Sequence, residues 1–172
     1  MQLVVSVNVS SKQLEDPSFF SDLVDVISQT GIDCRCLQIE VTETVLLKDV
    51  ERIASLFEQM RRMGIRIALD DFGTGYSSLS YLERYPIDAL KIDKSFVNRL
   101  GTSSAKADIV RMMINLAHGL GLEVSAEGVE QLSQAESLWG FGCTLAQGYL
   151  YSPPIAEAEM TQLLHNKFIS QS

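Results

Sequence analysis

Short apolar runs alternate along this chain with longer stretches in which apolar residues recur every three or four positions. The runs Leu3 to Val9, Leu37 to Val41, Ile65 to Leu69, Ala89 to Ile92 and Leu122 to Ala126 read as strands, with a weaker strand near Leu145. Stretches 18–30 and 49–63 read as helices, and helical sequence follows each later strand. Val50, Ile53, Ala54, Phe57 and Met60 fall on one helical face, as do Ile109, Met113, Leu116, Ala117 and Leu120. A βαβα order predicts a parallel sheet.

The punctuation agrees with that order. Asp16-Pro17 reads as an N-cap followed by proline at the first helical position, where its missing N–H does no harm. In Gly31-Ile32, Gly64-Ile65 and Gly121-Leu122 a glycine ends a helix in the left-handed conformation and an apolar residue opens the next strand. Such units suit a doubly wound sheet or a (β/α) barrel, and periodicity alone does not separate the two.

Length and composition add that the 172 residues, 46% hydrophobic and 21% charged, form one domain with a real core. The net charge of -8, from 14 Lys+Arg against 22 Asp+Glu, comes with no basic stripe, which excludes a non-specific DNA or RNA binder. It leaves room for a small phosphate ligand whose charge a bound cation offsets. Cys34, Cys36 and Cys143 have no C-x-x-C pairing and no histidine at ligand spacing, so they read as thiols in a reducing compartment. The stretch Met1 to Asn8 lacks the features of a signal peptide, and no window approaches the roughly 18 apolar residues of a membrane span. The expectation is a soluble, cytoplasmic domain, whose parent protein can still be anchored by segments outside this chain.

Polar residues gather where the strands end. The series is Asn8, Glu40 with Glu43, Asp70-Asp71, Lys91 with Asp93, Glu127 with Glu130, and Gln147. The carboxyl ends of parallel strands converge on one rim, where barrel active sites form. Oxygen donors of these types suit Mg²⁺ or Mn²⁺ better than zinc. In an extended strand Asp70 and Asp71 diverge, but a turn at the strand's end lets both face one site. Two metals about 3.5–4 Å apart need such bridging carboxylates. Lys91, inside the run Ala89 to Asp93, is costly to bury unless paired. Any one of these residues reads just as well as a helix cap or solvated turn; six such strand ends together do not. The remaining features read as structural: Ser133 and Glu136 as a capping box, His118 and His165 as structural or exposed, Trp139 and the helical methionines as core.

Six segments carry a resemblance: Ser6 to Ser10, Ile39 to Glu43, Asp70-Asp71-Phe72-Gly73-Thr74-Gly75 with Tyr76 to Leu79, Leu90 to Lys94, Ala126 to Glu130, and Gln147 to Leu150. In order and spacing they resemble the signatures of EAL-domain cyclic-di-GMP phosphodiesterases, from Met1 to about Pro154. The resemblance implies a TIM-like (β/α) barrel and hydrolysis of cyclic di-GMP to linear pGpG by water activated by two divalent ions, Mg²⁺ or Mn²⁺. It implies that Asn8, Glu40, Asp70, Asp71 and Glu127 bind metal and that Lys91 polarises the attacking water, with Glu127 also catalytic. Glu43 would anchor the loop Asp71 to Ser78, used in metal binding and dimer contact, while Gln147, Glu130 and Asp93 support the site. Sensor or GGDEF modules would lie upstream.

Two departures qualify the resemblance. The chain has no Glu-Ala-Leu tripeptide, whose glutamate is a metal ligand in the family, and Thr144 stands where many relatives have aspartate. A barrel of this type takes about 250 residues and eight strands, so the expectation is an incomplete barrel of about six βα units, open at its N-terminal side, with 155–172 as a C-terminal helix and tail. An open sheet leaves edges that invite pairing. Two alternatives stand beside hydrolysis: an EAL-type module that binds cyclic di-GMP or a protein without turnover, and a Mg²⁺-dependent barrel acting on another phosphate ester.

Overall fold

A computed structural model of the chain describes residues 3–47, 49–74, 82, 84–100 and 104–165. Six strands, β1 (Val5–Asn8), β2 (Leu37–Thr42), β3 (Arg66–Phe72), β4 (Ala89–Ile92), β5 (Glu123–Ala126) and β6 (Leu145–Ala146), form one sheet. Every neighbouring pair is parallel, and the spatial order repeats the sequence order from β1 to β6. A doubly wound sheet reverses its strand order at a switch point; this one does not, and it is an incomplete TIM-like (β/α) barrel with two open edges.

Local chemistry sets the helices. Helix α1 (Ser11–Glu15) is capped reciprocally, Gln13 N–H donating to Ser10 Oγ and Ser10 N–H to Gln13 Oε1. Before α2 (Phe19–Thr30), Asp16 is not the N-cap: its carboxylate accepts Ser18 N–H, and Ser18 holds the cap position with its hydroxyl on Asp22. Asp49 caps α3 (Val50–Arg62), which buries Ile53, Leu56, Phe57 and Met60 against the sheet. Three more helices follow: α4 (Lys94–Val97) and α5 (Ser104–Gly119) between β4 and β5, and α6 (Leu132–Gly140) between β5 and β6. The last helix, α7, spans Glu157–Leu164, and positions 166–172 of the expected C-terminal helix and tail lie outside the described residues.

Gly31, Gly64 and Gly121 close their helices with φ of 66°, 95° and 73°. After two of them the chain enters its strand within two residues, Ile65 N–H donating to Met60 O and Leu122 N–H to Ala117 O. Ile32 opens no strand, because a 3₁₀ turn over Cys34–Cys36 intervenes before β2.

Four sequence expectations are corrected. Trp139 is 71% exposed, because among the described residues no element covers the outer face of α6. Met112 and Met160 are exposed as well, whereas Met60 and Met113 are buried. On α5 the inward face centres on Val110, Met113, Ile114 and Ala117, which rotates Ile109 outward. The spacing Ser133 to Glu136 is not a capping box: both lie within α6, and Gln134 Oε1 takes the N–H groups at the helix start. His118 and His165 are exposed, and Cys143 is buried with its thiol pKa raised by burial. Among the described residues no helix is long and apolar enough to cross a membrane.

Candidate functional site

All four residues of β4 are buried, so the Lys91 ammonium, 5% exposed, has to find its partners inside the protein. The flanking strands supply them. Lys91 Nζ donates to Glu40 Oε2 on β2 and to Glu127 Oε1 just past β5, at 2.5 Å for the latter, and lies 3.4 Å from Asp70 Oδ1 on β3. Burial alone pulls the Lys91 pKa down, but the bonds to Glu127 and Glu40 and the charge of Asp70 outweigh it and hold the pKa above its ordinary value. The Glu127 carboxyl is pushed up, first by burial and then by Asp70 and Glu40, with Lys91 opposing.

The two adjacent aspartates sit at a bulge in β3. The β3–β4 register pairs Leu69 with Leu90 and then Phe72 with Ile92, so Asp70 and Asp71 together stand opposite Lys91. Asp71 has φ 57°, a left-handed conformation that aspartate tolerates better than most residues. Convergence therefore comes from an irregularity inside a strand that continues to Phe72, not from a turn at the strand's end. The Asp71 carboxyl is raised by burial and then by Asp70, Asp93 and Glu43, against Lys91, which places these groups in one electrostatic field.

The supporting residues divide by what they touch. Asp93 caps α4, its Oδ1 accepting Ser95 N–H at 2.9 Å; burial opposes ionisation there, but the hydrogen bonds from Ser95 prevail and hold the pKa low. Glu43, 5% exposed, accepts Gly73 N–H at 2.7 Å with Oε1, which ties it to the loop after Asp71. Its Oε2 is buried with no hydrogen-bond partner among the described residues. Positions 75–78 of that loop, where dimer contact is expected, lie outside the described residues. Asn8 stands beside Glu40 in the β1–β2 register with an exposed side chain. Glu130 and Gln147 reach the rim through their backbones, with exposed side chains. The structure thus joins Glu40, Asp70, Lys91 and Glu127 in direct contact, with Asp71, Asp93 and Glu43 close by and Asn8, Glu130 and Gln147 around them.

Gln134, a buried polar residue that pattern reading passes over, holds the start of α6 to the turn after β5. Glutamine inside an amphipathic helix carries no sequence mark of burial.

The donors suit a hard divalent cation. Glu40, Asp70 and Glu127 each offer an oxygen within 4.8 Å of the others, and the unsatisfied Glu43 oxygen adds acceptor capacity nearby.

Residues 1–154 match the family model described as EAL domain. The chain is similar to the cyclic di-GMP phosphodiesterase NbdA of Pseudomonas aeruginosa, 39% identical over 163 residues, 95% of this chain and 21% of that protein. The crystal structure of the EAL domain of Mycobacterium smegmatis DcpA superposes with a TM-score of 0.90 at 40% identity, covering 95% of this chain and 73% of that one. A manganese and cyclic-di-GMP complex of Klebsiella pneumoniae BlrP1 superposes at 0.78 and 32% identity, covering 87% and 38%. The chain spans about a quarter of the length of the first curated relatives it matches. With the carboxylates and lysine of its strand ends gathered on one rim and this match over most of its length, the chain belongs to the EAL domain family.

Proposed function

We propose that this chain carries most of the active site of a phosphodiesterase that hydrolyses cyclic di-GMP to linear pGpG. The observation that supports it most is the Lys91 ammonium held among Glu40, Asp70 and Glu127 on four adjacent parallel strands. Glu40, Asp70, Asp71, Glu127 and Asn8 are the residues that would hold divalent cations, two Mg²⁺ or Mn²⁺ ions in the active form. Bound there, such ions polarise a phosphoryl oxygen and lower the pKa of water. Lys91 would orient the attacking water and keep its proton on the carboxylate side, where Glu127 accepts it. Glu43 would fix the loop that begins at Gly73, and Gln147, Glu130 and Asp93 would hold the rim in shape. The parent protein would act in the cytoplasm, pair through the loop after Asp71, and carry sensor or GGDEF modules.

The test is release of pGpG from cyclic di-GMP with Mg²⁺ or Mn²⁺, by this chain and by the parent protein extended upstream by about 80 residues, the difference from a typical barrel. Product from the extended protein is expected, and its loss on adding a chelator. Binding without product from either protein would leave the second reading, a regulatory module; equal turnover of simple phosphomonoesters would point to another phosphate ester.

A further inference from the structure

The turn Glu127 to Glu130 is fastened at successive residues. Glu127 N–H donates to Ile92 O at the end of β4. Val129 is paired twice with the segment after β6, its N–H on Gln147 O and its carbonyl receiving Leu150 N–H, both at 3.0 Å. Two glycines permit the approach: a Cβ on Gly128 would stand 2.5 Å from Lys94 Cβ, and one on Gly148 would stand 2.1 Å from Val129 O. Beyond Val129 the next two N–H groups turn to a side chain. Glu130 N–H and Gln131 N–H both donate to one side-chain atom, Gln134 Oε1, at 2.9 and 3.0 Å. That side chain is 6% exposed, and its Nε2 faces Val97 O at 3.4 Å, so one amide joins the turn to α4 and α6.

We infer that Gln134 is a positioning residue of the site, the buried amide whose oxygen sets the turn Glu127 to Glu130 and thereby the Glu127 carboxylate on Lys91. Glu127 directly follows β5, only Gly128 and Val129 separate it from the first N–H that Gln134 holds, and its carboxylate is aimed by the direction in which the chain leaves the strand. A capping role would affect only the stability of α6, whereas a positioning role reaches the carboxylate three residues before the first N–H that Gln134 holds. The inference rests on the phosphodiesterase reading only in taking Glu127 as part of the metal site.

The experiment compares Gln134→Met with Gln134→Glu in the full chain. Methionine keeps the volume and removes the acceptor; glutamate keeps acceptor oxygens for both N–H groups. Mn²⁺ affinity is read by calorimetry, folding by circular dichroism, and protection of the Glu130 and Gln131 amides by hydrogen exchange. The expected result is Mn²⁺ binding weaker by about tenfold or more in Gln134→Met, with both amides deprotected, and within about threefold of wild type in Gln134→Glu. A folded Gln134→Met with wild-type affinity overturns the inference. Should that variant not fold, Gln134→Glu decides: protected amides with intact affinity support the role, and protected amides with lost affinity sink it. A wild type that binds Mn²⁺ yet yields no pGpG, even when extended, overturns the proposed function and leaves the affinity comparison to judge Gln134. A wild type without Mn²⁺ affinity overturns both.

Discussion

Lys91 shows how much a single buried charge asks of its surroundings. Removing one partner of a buried pair leaves the others uncompensated, typically at about 3–5 kcal/mol. Lys91→Met should lower the stability of the metal-free chain by about that amount, because Glu40, Asp70 and Glu127 would face one another without a cation. Urea unfolding in a chelator measures it, and added Mn²⁺ should recover more stability in the variant than in wild type. The pH dependence has a definite sign. The folded Lys91 pKa lies above its ordinary 10.5, so its contribution is complete below that value and disappears as pH rises through the folded pKa. The wild-type advantage over Lys91→Met should therefore persist at pH 8 to 10 and close above the folded pKa; a gap unchanged at still higher pH would refute the pairing. Lys91 itself was legible as an anomaly, a charged residue in an apolar run. Its partners were legible only as strand-end carboxylates, since no pattern says which of them share an oxygen's reach.

Among the elements, helix faces divide into those the sheet covers and those it does not. Phe57 on α3 is fully buried and packs its ring 5.9 Å from that of Tyr85, so Phe57→Ala should cost about 3–5 kcal/mol. Trp139→Ala on α6 should change stability by less than about 0.5 kcal/mol, despite the larger side chain removed. Denaturant midpoints of the two variants check both, and a large loss from Trp139→Ala would mean that the outer face of α6 is covered. Apolar spacing placed the α3 face correctly and placed Trp139 wrongly. Periodicity tells which residues share a face, but not whether another element lies over it. The bulge at Asp70-Asp71 was likewise invisible, because it depends on how β3 and β4 register with each other.

At the scale of the molecule, the open sheet governs solution behaviour. Edge strand β1 exposes Val5 at 53% and Val7 at 42%, and a groove of about 540 Å³ beneath it is lined by Val7, Phe19, Leu23, Val26, Ile27 and Leu37. Strand β1 is thus an exposed edge, although its apolar run has the same look as those of the buried strands. The isolated chain should self-associate as concentration rises, and Val5→Lys with Val7→Lys should shift it toward monomer in light scattering coupled to size exclusion. A wild type that stays monomeric throughout would show the edge to be protected. What the sequence determined by itself was the order of strands and helices, the glycine helix ends and the identity of the strand-end residues, because these follow from local periodicity and backbone preference. The bulge that sets two aspartates opposite Lys91, the contacts of Lys91 and the burial of Gln134 came only from the tertiary structure, which also settled the barrel order that periodicity left open and the family resemblance implied. Each of these depends on which strand lies beside which and in what register, and that is a property of the assembled sheet rather than of any segment.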